Sequence, residues 1–180
     1  KIDGGYRING QKIWTSRALQ SDLMLLLART TPKDEVAKKT DGLSTFLVDM
    51  KAAGDALEIR PIRTMMNHNS TEVFITDLVV PDDALVGVEG KGFRYILDGM
   101  NAERVLIAAE CIGDGRFFLD RATRYASERV VFDRPIGANQ GVQFPLARAH
   151  AAIEAADLMR FKAAWLFEQG QALLHWAYDS

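Results

Sequence analysis

Four groups of residues have types and spacings that could do chemistry. Trp14-Thr15-Ser16 puts an indole beside two hydroxyls. An exposed indole can stack on a planar ring while a hydroxyl or backbone N–H bonds a ring heteroatom; the same residues would serve equally as a core Trp with a strand-end Ser. Glu103 lies in the series Ile96, Met100, Glu103, Ile107, Cys111, whose spacings of four, three, four and four put all five on one helix face. A carboxylate in an apolar stripe is costly unless paired or protonated, and burial raises its pKa towards that of a base poised near neutrality. A salt bridge to an arginine of a neighbouring helix explains the same spacing.

The third group is Arg129 to Gln140, which gathers Arg129, Phe132, Arg134, Asn139 and Gln140 between two helical stretches. Free N–H groups at a helix start, with an arginine fork nearby, suit an anion such as a phosphate; a capped helical hairpin is the plain alternative. The fourth, Asn67-His68-Asn69-Ser70-Thr71, holds one His in a polar stretch and reads as surface. His68, His150 and His175 are isolated, and no His-Glu-x-x-His, Gly-x-Ser-x-Gly or Walker-type loop occurs. Neither metal nor triad chemistry is expected.

The elements that must position these groups follow two grammars. Residues 1–88 read as strands: Tyr6-Arg7-Ile8 and Lys12 to Thr15 around Asn9-Gly10, a strong hairpin signal. Leu23 to Ala28 follows, an unbroken apolar run of the kind buried on both faces. Leu43 to Met50, Glu58 to Ile62 and Thr71 to Val80 complete the set, with a polar loop over Thr30 to Gly42. Strands without intervening helices predict an antiparallel barrel or sandwich. From Gly92 the chain turns helical, with one helix to about Glu128, a turn at Asp133-Arg134-Pro135, and a second helix from near Gly141 into the 170s. Pro145 suits that helix only in its first turn. The expected fold is α+β: an antiparallel β domain (1–88), then a long antiparallel helical hairpin (89–180).

Composition narrows the function. In 180 residues, 48% are hydrophobic and 26% charged, which excludes disorder and a disulfide scaffold. The net charge of −2 offers no basic surplus for nucleic acid. The six-residue run Leu23 to Ala28 is far short of the roughly 20 apolar residues that span a bilayer. One cysteine, Cys111, suggests a reducing, cytosol-like compartment. The chain opens at Lys1 with neither an initiator Met nor a leader-like segment, as expected of a processed chain or of part of a longer one. After position 90, nine of eleven basic residues are arginine, whose planar fork suits phosphate and carboxylate.

Read in order, these segments closely resemble the acyl-CoA dehydrogenases. Tyr6 to Ser16 (YRINGQKIWTS) is similar to that family's strands leading to a flavin-contacting Trp-x-Ser/Thr; Leu78 to Phe93 (LVVPDDALVGVEGKGF) to its passage from strands into helices; Tyr125 to Gln140 (YASERVVFDRPIGANQ) to its Arg-x-x-Phe-Gly…Gln segment. The resemblance implies a partial chain, the middle β domain plus the first two helices of the C-terminal domain, whose hairpin would form part of a four-helix bundle, cut from something about twice as long. It implies FAD as cofactor and oxidation of an acyl-CoA thioester to the trans-2-enoyl-CoA, with a carboxylate taking the α-proton and hydride passing to flavin N5. It assigns Trp14, Thr15 and Ser16 to the flavin ring, and Arg129, Phe132 and Gln140 to the FAD of a neighbouring subunit in a homodimer or homotetramer. Asn101 and Arg104 fall to the acyl-CoA, and Glu103 to the base, as in the isovaleryl-CoA and long-chain branches. An electron-transfer flavoprotein is the implied acceptor, and the bacterial cytoplasm or mitochondrial matrix the implied compartment. A same-fold acyl-CoA oxidase or flavin monooxygenase, or a fragment without catalytic competence, are the alternatives. Asp133 stands where the family has Gly, Asn69 where an arginine is common, and residues 171–180 depart from the usual continuation.

Overall fold

The computed structural model describes residues 1–66 and 69–170; His68, His175 and the atypical 171–180 end lie outside them. The chain divides into two compact units, Lys1–Leu97 and the part from Asp98 onward.

The first unit is built from six strands in two antiparallel sheets. β1 (Gly5–Ser16), β5 (Ser70–Pro81) and β4 (Leu57–Pro61) form one, in the order β1-β5-β4. β2 (Leu23–Arg29), β3 (Leu43–Asp49) and the two-residue β6 (Leu85–Val86) form the other. Their inner faces share one core of Tyr6, Leu26, Phe46, Val48, Val73, Ile75, Leu78 and Val80. Tyr6 and Phe46 meet edge to face with centroids 4.8 Å apart. One helical turn, α1 (Met50–Ala53), follows β3 because the Asp49 carboxylate accepts from the backbone N–H groups of Lys51 and Ala52 at 2.9 and 3.0 Å.

Two local expectations are corrected. Asn9-Gly10 is not a hairpin turn: β1 runs through it unbroken, and the register against β5 shifts between Ile8 and Gly10. The strand paired with β1 comes from residues 70–81, and Asn9 faces two residues of it, Thr76 and Asp77, so β5 carries the bulge. β2 is not buried on both faces: Leu26 is buried, but Leu23 and Leu25 are exposed, and Leu25 pairs across the sheet with an exposed Leu47. One face only is covered, the arrangement usual for an antiparallel sheet.

The first unit runs to Leu97 and includes the start of α2 (Gly92–Glu128), which seats on β3. Thr45 Oγ1 donates to the Gly92 carbonyl at 3.0 Å, and a Cβ on Gly92 would lie 2.4 Å from the Thr45 nitrogen. Only glycine allows that approach. Just before it, Glu89 accepts from the Tyr6 hydroxyl and the Lys1 ammonium, both at 2.9 Å.

The second unit holds the rest of α2, a small hairpin of β7 (Val130–Val131) and β8 (Arg134–Pro135), and α3 (Gln140–Glu168). The two helices run side by side in opposite directions. Leu119 on α2 shares with His150 on α3, and Ala126 with Gln143, the lining of a groove of about 430 Å³. Pro145 falls in the second turn of α3 rather than the first, removing one backbone donor there.

Candidate functional site

At the end of β1 the backbone is forced out of the pleat. Between Lys12 and Thr15 the register against β5 shifts again, and Trp14 takes φ 62° and Arg17 φ 62°. A bulky residue at positive φ is held there only when its surroundings over-determine it. Three contacts fix it: Thr71 Oγ1 donates to the Thr15 carbonyl at 2.8 Å, Ser16 pairs with Ser70, and the Arg17 N–H donates to the Asn69 carbonyl at 2.8 Å. The outcome is an indole 62% exposed beside an exposed Ser16 and a half-buried Thr15. Trp14 thus lies outside the core that the described residues form. Asn69, where the family commonly has arginine, joins the corner through its carbonyl. The stretch Asn69-Ser70-Thr71, expected at the surface, thus supports this corner, with Thr71 buried; Arg17 carries no spacing signal, since a left-handed residue beside a bulge leaves none.

Glu103 stands one third of the way along α2. It is exposed, as are Met100, Ile107 and Cys111. The apolar stripe exists, but the buried pocket expected around it is not formed by the described residues. Neither does Glu103 form the alternative salt bridge among them. Its neighbours behave differently: Asn101 is buried, and its Oδ1 accepts from Arg104 Nη1 at 2.8 Å. That bond orients one nitrogen of the guanidinium.

Between α2 and α3, β7 and β8 are joined by Phe132 and Asp133, both left-handed at φ 51° and 61°. Two consecutive positive φ values make the type I′ turn of a two-residue hairpin. Asp133, in the place of the family's Gly, keeps the turn because Asp tolerates this region better than most side chains. Phe132 is thrown outward, 93% exposed. Arg129 is anchored by its backbone alone: its N–H donates to the Tyr125 carbonyl and its carbonyl accepts from Ile136, each at 2.8 Å. Its exposed guanidinium has no partner among the described residues. Asn139, at the N-cap of α3, turns its side chain to Arg134 (2.6 Å) and the Ile136 carbonyl (3.0 Å) instead of capping the helix. Gln140 follows, exposed.

The residues fit a flavin dinucleotide by chemistry. An outward indole with hydroxyls suits a flavin ring, and an unpaired guanidinium with an outward aromatic suits a diphosphate and an adenine. Within the first unit Trp14, Thr15 and Ser16 are together; within the second, Arg129 and Phe132 share the hairpin that leads to Gln140, while Asn101, Glu103 and Arg104 share a turn of α2.

These features define an α+β chain in which an antiparallel β domain precedes long helices. The acyl-CoA dehydrogenase middle-domain profile matches residues 1–78 and the acyl-CoA dehydrogenase C-terminal-domain profile residues 90–175. The chain belongs to the acyl-CoA dehydrogenase family. It is 36% identical over 163 residues to an acyl-CoA dehydrogenase, fadE12, of Mycobacterium bovis, covering 91% of this chain and 41% of that relative. It superposes on butyryl-CoA dehydrogenase of Megasphaera elsdenii with a TM-score of 0.78 at 27% identity, covering 96% of this chain and 44% of that one. PigA, solved with FAD and proline, gives 0.81 at 27% identity over 96% of this chain and 44% of that protein. The chain thus spans less than half the length of the relatives it matches. No helix among the described residues is long and apolar enough to cross a membrane.

Proposed function

We propose that this chain is the central part of an FAD-dependent enzyme that oxidises an acyl-CoA thioester to its trans-2-enoyl-CoA. Residues 1–88 serve as its middle domain and 89–180 as the first two helices of its C-terminal domain. The observation that carries the reading is the α2 turn on which Arg104 is held by Asn101 while the adjacent Glu103 is unpaired among the described residues. A base must keep its lone pairs for the proton it removes.

Glu103 takes the α-proton of the thioester onto its carboxylate. Asn101 and Arg104 bind the acyl-CoA, the guanidinium being oriented through the Asn101 bond. Trp14 stacks beside the flavin ring, with Thr15 and Ser16 supplying hydrogen bonds to its polar edge. Arg129 neutralises the diphosphate of a neighbouring subunit's FAD, with Phe132 and Gln140 on the adenosine side, so assembly into a homodimer or homotetramer completes the cofactor site. Bound FAD supplies a hydride acceptor at N5 for the substrate's β-hydrogen. An electron-transfer flavoprotein then takes the electrons, in the bacterial cytoplasm or the mitochondrial matrix.

In the complete protein, Glu103→Gln retains flavin but slows its reduction by acyl-CoA by about 10²–10⁴-fold, the usual contribution of a general base. Stopped-flow bleaching of the flavin band measures this. Reduction at the parent rate removes Glu103 as the base. Rapid reoxidation of the reduced flavin by oxygen would instead assign the chain to an oxidase on the same fold.

A further inference from the structure

Asn9-Gly10 carries a turn signature but makes no turn, and what it does instead points to chemistry of its own. Opposite the bulge of β5, Asn9 Nδ2 donates to Asp77 Oδ1 at 3.1 Å, while the Asp77 backbone N–H donates to Asn9 Oδ1 at 2.8 Å. Both polar atoms of the amide are thus tied to one residue of β5. Asp77 is itself left-handed, at φ 49°, so the clamp holds a strained backbone on the partner strand. Asn9 and Gly10 are exposed, with water at hand. An Asn followed by Gly is open to attack by the next backbone nitrogen, since no side chain shields it, and Asn is among the heat-labile residues.

We propose that Asn9 is a spontaneous deamidation site whose reaction is held back by the Asp77 clamp. The Gly10 nitrogen bonds to Asn9 Cγ, the Cγ–Nδ2 bond breaks, and ammonia leaves with the Gly10 amide proton. Water then opens the resulting ring to aspartate or isoaspartate, so no oxidant or cofactor is consumed. The folded bulge opposes the first step, because Cγ cannot swing towards Gly10 until both bonds to Asp77 are released. Once the reaction has occurred the clamp does not re-form: the Nδ2 donor is replaced by a carboxylate oxygen facing the Asp77 carboxylate. Isoaspartate further lengthens the β1 backbone within its ladder. Each opening of the β1–β5 bulge therefore carries a chance of irreversible loosening, upstream of the corner at Trp14. The inference is independent of the proposed catalysis.

The test is incubation of the full chain in mildly alkaline buffer, with tryptic mapping of the peptide Ile8–Lys12. Wild type should slowly gain the mass of amide-to-acid conversion at Asn9, and Asn9→Gln should show none. Asp77→Gly removes the carboxylate while suiting the left-handed backbone, so it should fold and deamidate at least several-fold faster. In concentrated urea the two chains should react at equal rates, which assigns the difference to the fold. Asn9→Asp should lower the folding equilibrium constant about tenfold, the loss of one charge-assisted hydrogen bond. No conversion at Asn9 in either folded chain, or equal rates in folded wild type and Asp77→Gly, overturns the proposal.

Discussion

Arg116 on α2 reaches Asp157 on α3, Nη2 to Oδ2, at 2.8 Å, and so joins residues 41 positions apart. The same guanidinium holds Glu154 Oε1 at 2.9 and 3.1 Å, and the other Asp157 oxygen takes Nη2 and Nε of Arg160 at 2.6 and 2.9 Å. Asp157 is buried, one of few such residues in the second unit, whose helices otherwise expose Phe117, Phe118, Phe161 and Trp165. This cluster ties α2 to α3 beside the apolar contact of Gly115 with Ile153.

The Arg160 guanidinium, against the opposing effect of burial and with help from Arg116, holds the Asp157 carboxyl below its usual range. Its folded pKa is depressed, so its stabilisation is present above the ordinary carboxylate pKa and is lost as pH falls through the folded value. Asp157→Asn should lower the melting temperature at neutral pH and flatten its decline in acid, as followed by circular dichroism. Glu154→Gln should do less, because Glu154 is half-exposed and exposed pairs contribute little.

Asp133→Gly should stabilise the chain by about 0.5–1 kcal/mol, because glycine occupies the second left-handed position of the β7–β8 turn without a Cβ penalty. A urea titration would record it as a higher midpoint at unchanged slope. A lower midpoint would mean that the Asp side chain supports the turn.

Trp14→Gly should separate stability from function. The indole is largely exposed and its backbone left-handed, so the substitution should leave the melting temperature unchanged or raise it slightly. In the complete protein it should sharply lower the FAD-bound fraction, read from the flavin absorbance of the purified enzyme. A large loss of stability with flavin retained would make Trp14 a packing residue.

Arg129→Ala should weaken FAD retention about tenfold or more, as expected for losing a charge-assisted contact to a diphosphate. Acyl-CoA affinity of the reconstituted enzyme should change little. An unchanged flavin content after gel filtration would count against the shared diphosphate site.

Much of this was legible in one dimension because it depends on local residue type. The order of strands followed by helices, and a long helix from Gly92 to Glu128, follow from propensity and breakers that act within a few residues. The family signal is local too: Tyr6 to Ser16, Leu78 to Phe93 and Tyr125 to Gln140 are short runs whose side chains must all be present for a site to exist.

What neighbouring strands and helices contribute was out of reach. Asn9-Gly10 favours a hairpin when its own flanks must pair, but β5 supplies a better partner and converts the turn into a clamped bulge. The run at Leu23 has the hydrophobicity for two buried faces, yet only one face meets another sheet. The spacing around Glu103 sets a face of α2, while covering that face takes surfaces beyond those the helix itself provides. Residue types alone thus settled the chemistry available to this protein. The tertiary structure decided which groups are held and which are left unpaired, because pairing and burial are properties of contacts between distant segments.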